Sequence, residues 1–113
     1  MQKDPRYPIG KFDHNITVTK EMRSDFIKTI ETIPSQLKKE VENLSEQQLN
    51  TPYRDGGWTV RQVIHHLPDS HINSYVRFKL ALTEDNPQIK TYEEHLWAEL
   101  PDSFNTQIDV SLN

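Results

Sequence analysis

The chain of 113 residues has no cysteine, which excludes disulfides, thiolate metal sites and thiol nucleophiles. It has only three glycines and shows neither a Gly-rich phosphate loop nor a G-x-S-x-G elbow, so those nucleotide and serine-hydrolase chemistries have no foothold. Thirteen Lys and Arg stand against seventeen Asp and Glu, a net charge of -4, and no basic patch carries the footprint of a nucleic-acid binder. No apolar run approaches the roughly 18 residues of a membrane span. The start, Met1-Gln2-Lys3-Asp4-Pro5, does not read as a signal peptide. The expectation is a soluble cytoplasmic domain without nucleic-acid or membrane partners, in which the sequon Asn15-Ile16-Thr17 is a chance match.

What is present is helical patterning. Residues 1–18 read as an extended arm: Pro5 and Pro8 disfavour helix, and Tyr7, Ile9 and Phe12 can pin the arm to an apolar surface. Phe26, Ile27, Ile30, Ile33, Leu37, Val41 and Leu44 then recur at steps of three and four, the stripe of one long helix, with a kink or break expected at Pro34. Ser45 with Gln48 has capping-box spacing and predicts a short turn that buries Leu49. Residues 50–58 form a connection whose turn is Asp55-Gly56-Gly57.

The second long helix is signalled by Thr59 and Gln62 as a capping box. One stripe runs through Val60, Val63, Ile64, Leu67, Tyr75, Phe78 and Leu82, and another through Ile72, Val76 and Leu80, so cover from two sides and a bend at Pro68 are expected. Thr91 to Glu94 predicts a further capped helix ended by Pro101. Ile108, Val110 and Leu112 read as the start of an element rather than a docked tail. One domain over 1–113 is expected at this length.

Chemistry concentrates in His65, His66, Asp69 and His71. Imidazole and carboxylate suit zinc, nickel and similar ions. At 100° per residue, His65 and Asp69 project about 40° apart and His66 and Asp69 about 60°, so either pair can meet. His66 and His71, about 140° apart, cannot share an ion on a straight helix. His71 sits in the apolar stripe and reads as a buried histidine with one partner. Asp69 reads as an orienting group. His14 and His95 read as surface residues. The loop Tyr53 to Trp58 reads equally as plain turn or as pocket wall. A catalytic zinc normally takes three protein ligands, and the spacing leaves one credible imidazole on each helix face, with His65 and His66 both open.

The run from Thr51 to Glu84, containing Asp55-Gly56-Gly57-Trp58-Thr59 and His65-His66-Leu67-Pro68-Asp69, resembles the signature of the YfiT-like branch of the DinB-like superfamily. Tyr7-Pro8-Ile9-Gly10 and the stretch from Thr91 to Leu100 match the same branch. The resemblance implies an all-α fold, an up-down-down-up four-helix bundle. It implies a divalent ion, Zn or Ni, one per subunit in the complete protein, held by three histidines. One of these lies on the second helix before a Leu-Ala-Asp triplet, and two come from a His-x-x-x-His pair on the last helix. Carried over, the first falls on His66, ahead of Leu67-Pro68-Asp69, with Pro68 in place of alanine and His65 as a neighbour. No His-x-x-x-His occurs in this sequence, so the resemblance implies a partial bundle lacking the last two helices.

The function implied is that of a metal-dependent hydrolase or a bacillithiol S-transferase, in which the ion activates water or a low-molecular-weight thiol acting on a small-molecule substrate. The competing reading is a catalytically inactive, metal-free helical fragment acting through self-association or partner binding. A partial bundle exposes the stripe of its second long helix, and a homodimer is the expected consequence.

Overall fold

A computed structural model describes residues 3–113. Among the described residues six helices follow one another: α1 (Lys20–Val41), α2 (Glu46–Leu49), α3 (Val60–Thr83), α4 (Glu94–Trp97), α5 (Pro101–Asn105) and α6 (Asp109–Leu112). No strand occurs among the described residues, only an isolated bridge between Pro52 and Thr59. The chain divides into two compact units at Asn43 and Leu44.

In the first unit, residues 3–19 are turns and irregular chain leading to α1, whose start is capped by the Thr19 hydroxyl accepting from the Met22 amide. The arm is not pinned as expected: Tyr7, Ile9 and Phe12 are all exposed, Ile9 almost completely. α1 runs unbroken through Pro34, so the expected break into two helices does not occur. Its stripe is covered only toward the end. Phe26, Ile27 and Ile30 are exposed, Ile33 and Leu37 partly covered, and Val41 buried.

The second unit is organised on α3. Of the three predicted capping boxes, those at Ser45 and Thr59 are formed. The Ser45 amide donates to Gln48 Oε1 at 2.8 Å and the Gln48 amide to Ser45 Oγ at 3.2 Å, starting α2 and burying Leu49. The Thr59 amide donates to Gln62 Oε1 at 3.0 Å, and the Gln62 amide to Thr59 Oγ1 at 3.1 Å. α3 then continues through Pro68.

After α3 the chain turns at Asn86, whose φ of 49° is a left-handed conformation that asparagine tolerates better than most residues. It then runs back along α3 as a crossover. Arg77 donates to the Lys90 carbonyl at 3.1 Å, Gln62 Nε2 to the Ala98 carbonyl at 2.7 Å, and Arg61 to the Thr106 carbonyl at 3.0 Å. As residue numbers fall along α3 they rise along the crossover, so the two run antiparallel.

Within the crossover two expectations are corrected. The helix begins at Glu94 with Glu93 as an N-cap that makes no side-chain bond, so Thr91 caps nothing. Pro101 does not stop a helix but opens α5 at its first position, where a missing N–H costs nothing and φ is already suitable. The buried Ser103 joins the two pieces by donating to the Trp97 carbonyl at 3.2 Å. The segment after Thr106 is also docked, contrary to expectation: α6 packs on α3, and Leu112 is buried.

Among the apolar residues of α3, cover falls mostly on the first half, with Leu80 partly covered further along. Ile64 is 2% exposed and Val60 and Leu67 are partly covered, whereas Tyr75, Phe78 and Leu82 on the same stripe are exposed, as are Ile72 and Val76 on the other. The two-sided cover expected for this helix is therefore absent from its second half among the described residues.

Arg61 is the polar anchor of this unit. It is 4% exposed and donates to Asn50 Oδ1, the Thr106 carbonyl and the Glu46 carboxylate. Replacing it removes one of the two donors to the Thr106 carbonyl, the donor to Asn50 Oδ1 and a side chain that is itself buried, whereas Glu46 remains largely in water. Arg61→Ala should therefore cost about 2 kcal/mol and Glu46→Ala less than about 1 kcal/mol, read as shifts of the urea midpoint. Equal losses in the two variants would contradict this division.

Candidate functional site

The site begins with a loop that delivers Trp58. The Tyr53 amide bonds the Trp58 carbonyl at 3.0 Å and the Val60 amide the Thr51 carbonyl at 3.1 Å, closing residues 51–60 into a small hairpin. Its turn is closed by the Gly57 amide on the Arg54 carbonyl at 3.0 Å, with Gly56 at a left-handed φ of 66°. A Cβ on Gly57 would lie 2.6 Å from Arg54 Cγ, so this position has no room for a side chain without moving its neighbour. The loop is both of the things expected of it, a turn and a wall. Tyr53, Arg54 and Trp58 with the two glycines line a hollow of about 260 Å³.

Trp58 reaches α3 at His66, ring centroids 4.9 Å apart and planes tilted by 54°. His66 is half-buried, and its Nδ1 is shielded from water without any hydrogen-bond partner. His65 is in the opposite condition. It is 6% exposed, Nδ1 lies 2.6 Å from Ser111 Oγ and Nε2 lies 2.9 Å from the Thr106 carbonyl. A carbonyl only accepts, so Nε2 carries the proton and donates, and Nδ1 accepts from the serine hydroxyl. Both nitrogens of His65 are engaged and neither is free for an ion.

The helical step explains the contrast. Arg61, His65 and Asp69 follow one another at four-residue intervals and face α5 and α6, while Gln62, His66, Ser70 and Asn73 lie about 100° round the helix under residues 90–98. The two adjacent histidines thus serve two different faces.

Asp69 lines a pocket of about 220 Å³ with His65, Asp102, Ser103, Thr106 and Ser111. Burial, and after it the Asp102 carboxylate, hold its carboxyl above the ordinary carboxylate value, with His66 and His65 acting in the other direction. Among the described residues no hydrogen bond joins its carboxyl to either histidine. His71, expected to be buried, is exposed, because nothing in the crossover covers that side of α3. His14 and His95 are exposed, as expected.

Among the described residues no group of three or more histidine and carboxylate side chains is placed to hold a metal ion. Among the described residues His66 offers an imidazole nitrogen that is shielded from water and unpartnered, and these residues do not close a three-ligand centre by themselves.

The sequence profile of the DinB superfamily matches residues 29–110. The chain belongs to that superfamily. It is 59% identical over 109 residues to proteins of Bacillus cereus strain B4264 and Bacillus anthracis strain CDC 684, each named "Putative metal-dependent hydrolase". It also superimposes with a TM-score of 0.91, at 51% identity, on YfiT from Bacillus subtilis, described as "a probable metal-dependent hydrolase with an unusual four-helix bundle topology". In each case 96% of this chain is covered, and it spans 62% of the relative's length.

Sequence reasoning missed the crossover as part of the site. Ser111 and Thr106, which take up His65, and Asp102, which faces Asp69, carry no motif. The polar positions Ser70, Asn73 and Arg77, following His66 at helical spacing, were the available signal.

A pH test follows from Asp69. Between the ordinary carboxylate value and the raised one, the folded state holds more protons than the unfolded state, so stability falls as pH rises through that window. Asp69→Asn removes the loss. Its urea midpoint should exceed the wild type's near pH 7 and converge with it near pH 3, about where both states are protonated. A lower midpoint for Asp69→Asn near pH 7 would show that the ionised carboxylate is favourably partnered.

Proposed function

We propose that the protein is a divalent-metal-dependent hydrolase to which His66 contributes one ligand, the remaining ligands coming from outside the described residues. The observation that carries this reading is the pairing of opposites at adjacent positions: His65 has both nitrogens engaged by protein, while His66 keeps a water-shielded nitrogen with no partner. A buried polar atom left unpaired is costly and calls for an explanation, which an ion supplies. The names carried by the relatives support the same chemistry.

When bound, zinc or nickel would polarise a substrate oxygen or lower the pKa of bound water. The chain's own part is positional. Trp58 packs at a tilt against His66 and limits the swing of its ring, and the loop from Thr51 to Val60 holds Trp58 through backbone hydrogen bonds. Asp69, one turn further along and held above its ordinary pKa, is suited to keep or accept a proton on the neighbouring face. Transfer to a low-molecular-weight thiol is the second reaction open to such an ion, and with no cysteine in the chain the thiol would arrive as cosubstrate. The exposed Tyr75, Phe78 and Leu82 support self-association as a homodimer.

The reading is tested on the protein at the full length of the relatives it matches, by loading it with Zn(II) or Ni(II) and measuring metal after gel filtration. About one ion per chain is expected in the wild type and none in His66→Ala, with helix content unchanged by circular dichroism. Metal retained by His66→Ala, or absent from both proteins, would overturn it.

A further inference from the structure

The hollow in the loop before α3 holds a cation that no protein carboxylate neutralises. Arg54 is half-buried there, with Tyr53, Gly56, Gly57 and Trp58 as the other walls. Its guanidinium donates from Nε to the Tyr53 hydroxyl at 3.0 Å and from Nη1 to the Asp55 carbonyl at 3.1 Å. The guanidinium carbon lies 5.5 Å from the centroid of the Tyr53 ring. Asp55 is the next residue, yet Arg54 takes its backbone oxygen, and none of the ion pairs among the described residues includes Arg54.

The loop, not an opposing charge, sets this position. Gly57 lacks the Cβ that would lie 2.6 Å from Arg54 Cγ and 3.0 Å from Tyr53 Cε1, so the stem of Arg54 and the edge of the Tyr53 ring occupy the space of a side chain. The Gly57 amide closes the turn on the Arg54 carbonyl, and the Tyr53 amide is tied to the Trp58 carbonyl. Bonds from Nε and Nη1 leave both hydrogens of Nη2 and the second of Nη1 without an acceptor among the described residues. The Tyr53 hydroxyl accepts from Nε and keeps its own hydrogen to donate. Guanidinium hydrogens already placed beside a phenol are the complement of an oxyanion, and the planar fork matches carboxylate and phosphate oxygens in particular. At about 260 Å³ the hollow is smaller than pockets that enclose a whole drug-sized ligand, so it suits one terminal group.

We propose that this hollow is a subsite for a terminal oxyanion, a carboxylate or a phosphate, held by Arg54 and the Tyr53 hydroxyl. Trp58 is a wall of the hollow and also packs against His66, which is not itself a wall. Oxyanion binding therefore requires neither His66 nor a metal ion. Only the further step, that the anionic group belongs to the substrate, rests on the hydrolase reading.

The test is a titration of the metal-free protein, at the full length of the relatives it matches, with acetate and with inorganic phosphate at constant ionic strength, chloride serving as control. Isotope-edited NMR follows the Arg54 Nε–H and the Trp58 indole, assigned by their loss in Arg54→Gln and Trp58→Phe. Saturable shifts at both groups are expected with at least one oxyanion and not with chloride, and the tighter anion identifies the group as carboxylate or phosphate. Read at the Trp58 indole, Arg54→Gln should bind about tenfold more weakly. Gly57→Ala keeps every charge but displaces the Arg54 stem, and should weaken binding about threefold. Shifts that saturate with neither oxyanion, an equal response to chloride, or unchanged binding in Arg54→Gln would overturn the proposal. The wild-type titrations decide by themselves if a variant loses helix content by circular dichroism. With no metal present in any of them, failure of the metal site leaves the result untouched.

Discussion

Buried side chains on the first two turns of α3 hold the crossover by its carbonyl oxygens, and the rest of the second unit depends on them. Gln62 takes the Ala98 carbonyl, while Arg61 and His65 share the Thr106 carbonyl. Among the described residues of this unit the buried apolar side chains are few, Leu49, Ile64, Ala98 and Leu112, so burial alone specifies position poorly. Directional bonds in a covered place do specify it, because a slip of one residue leaves both donor and carbonyl unpaired at about 1–3 kcal/mol each. The register set by these bonds decides which α3 side chains face the crossover and which face α5 and α6.

That register accounts for the different fates of two adjacent histidines. His65 is drawn into the clamp and spent on Ser111 and Thr106. His66, about 100° round the helix, is covered by Trp58 and finds no protein partner for Nδ1. Asp69 shares the His65 face and is set opposite Asp102.

Local signals in the sequence were legible wherever a few consecutive residues decide the outcome. The capping boxes at Ser45 and Thr59 and the turn at Gly56 formed as their chemistry dictates, and the helical class and the superfamily could be read from the run between Thr51 and Glu84. The choice between His65 and His66 was beyond spacing, because it depends on residues more than 40 positions away. Thr91 and Pro101 misled for a related reason. Each has two permitted roles, and tertiary placement of the crossover selects the one that local pattern does not favour. The stripe through Tyr75, Phe78 and Leu82 announces burial, yet burial requires a neighbour, and no periodicity reports whether one is there.

The crossover lies antiparallel along α3 in the register set by Gln62, Arg61 and His65. Nuclear Overhauser contacts on the isotope-labelled chain read that register. Cross-peaks are expected between the Gln62 side-chain amide and Ala98, and between the His65 ring and both Thr106 and Ser111. Contacts of the His65 ring with residues 90–98, or of His66 with Thr106 and Ser111, would place the opposite face under the crossover and contradict it.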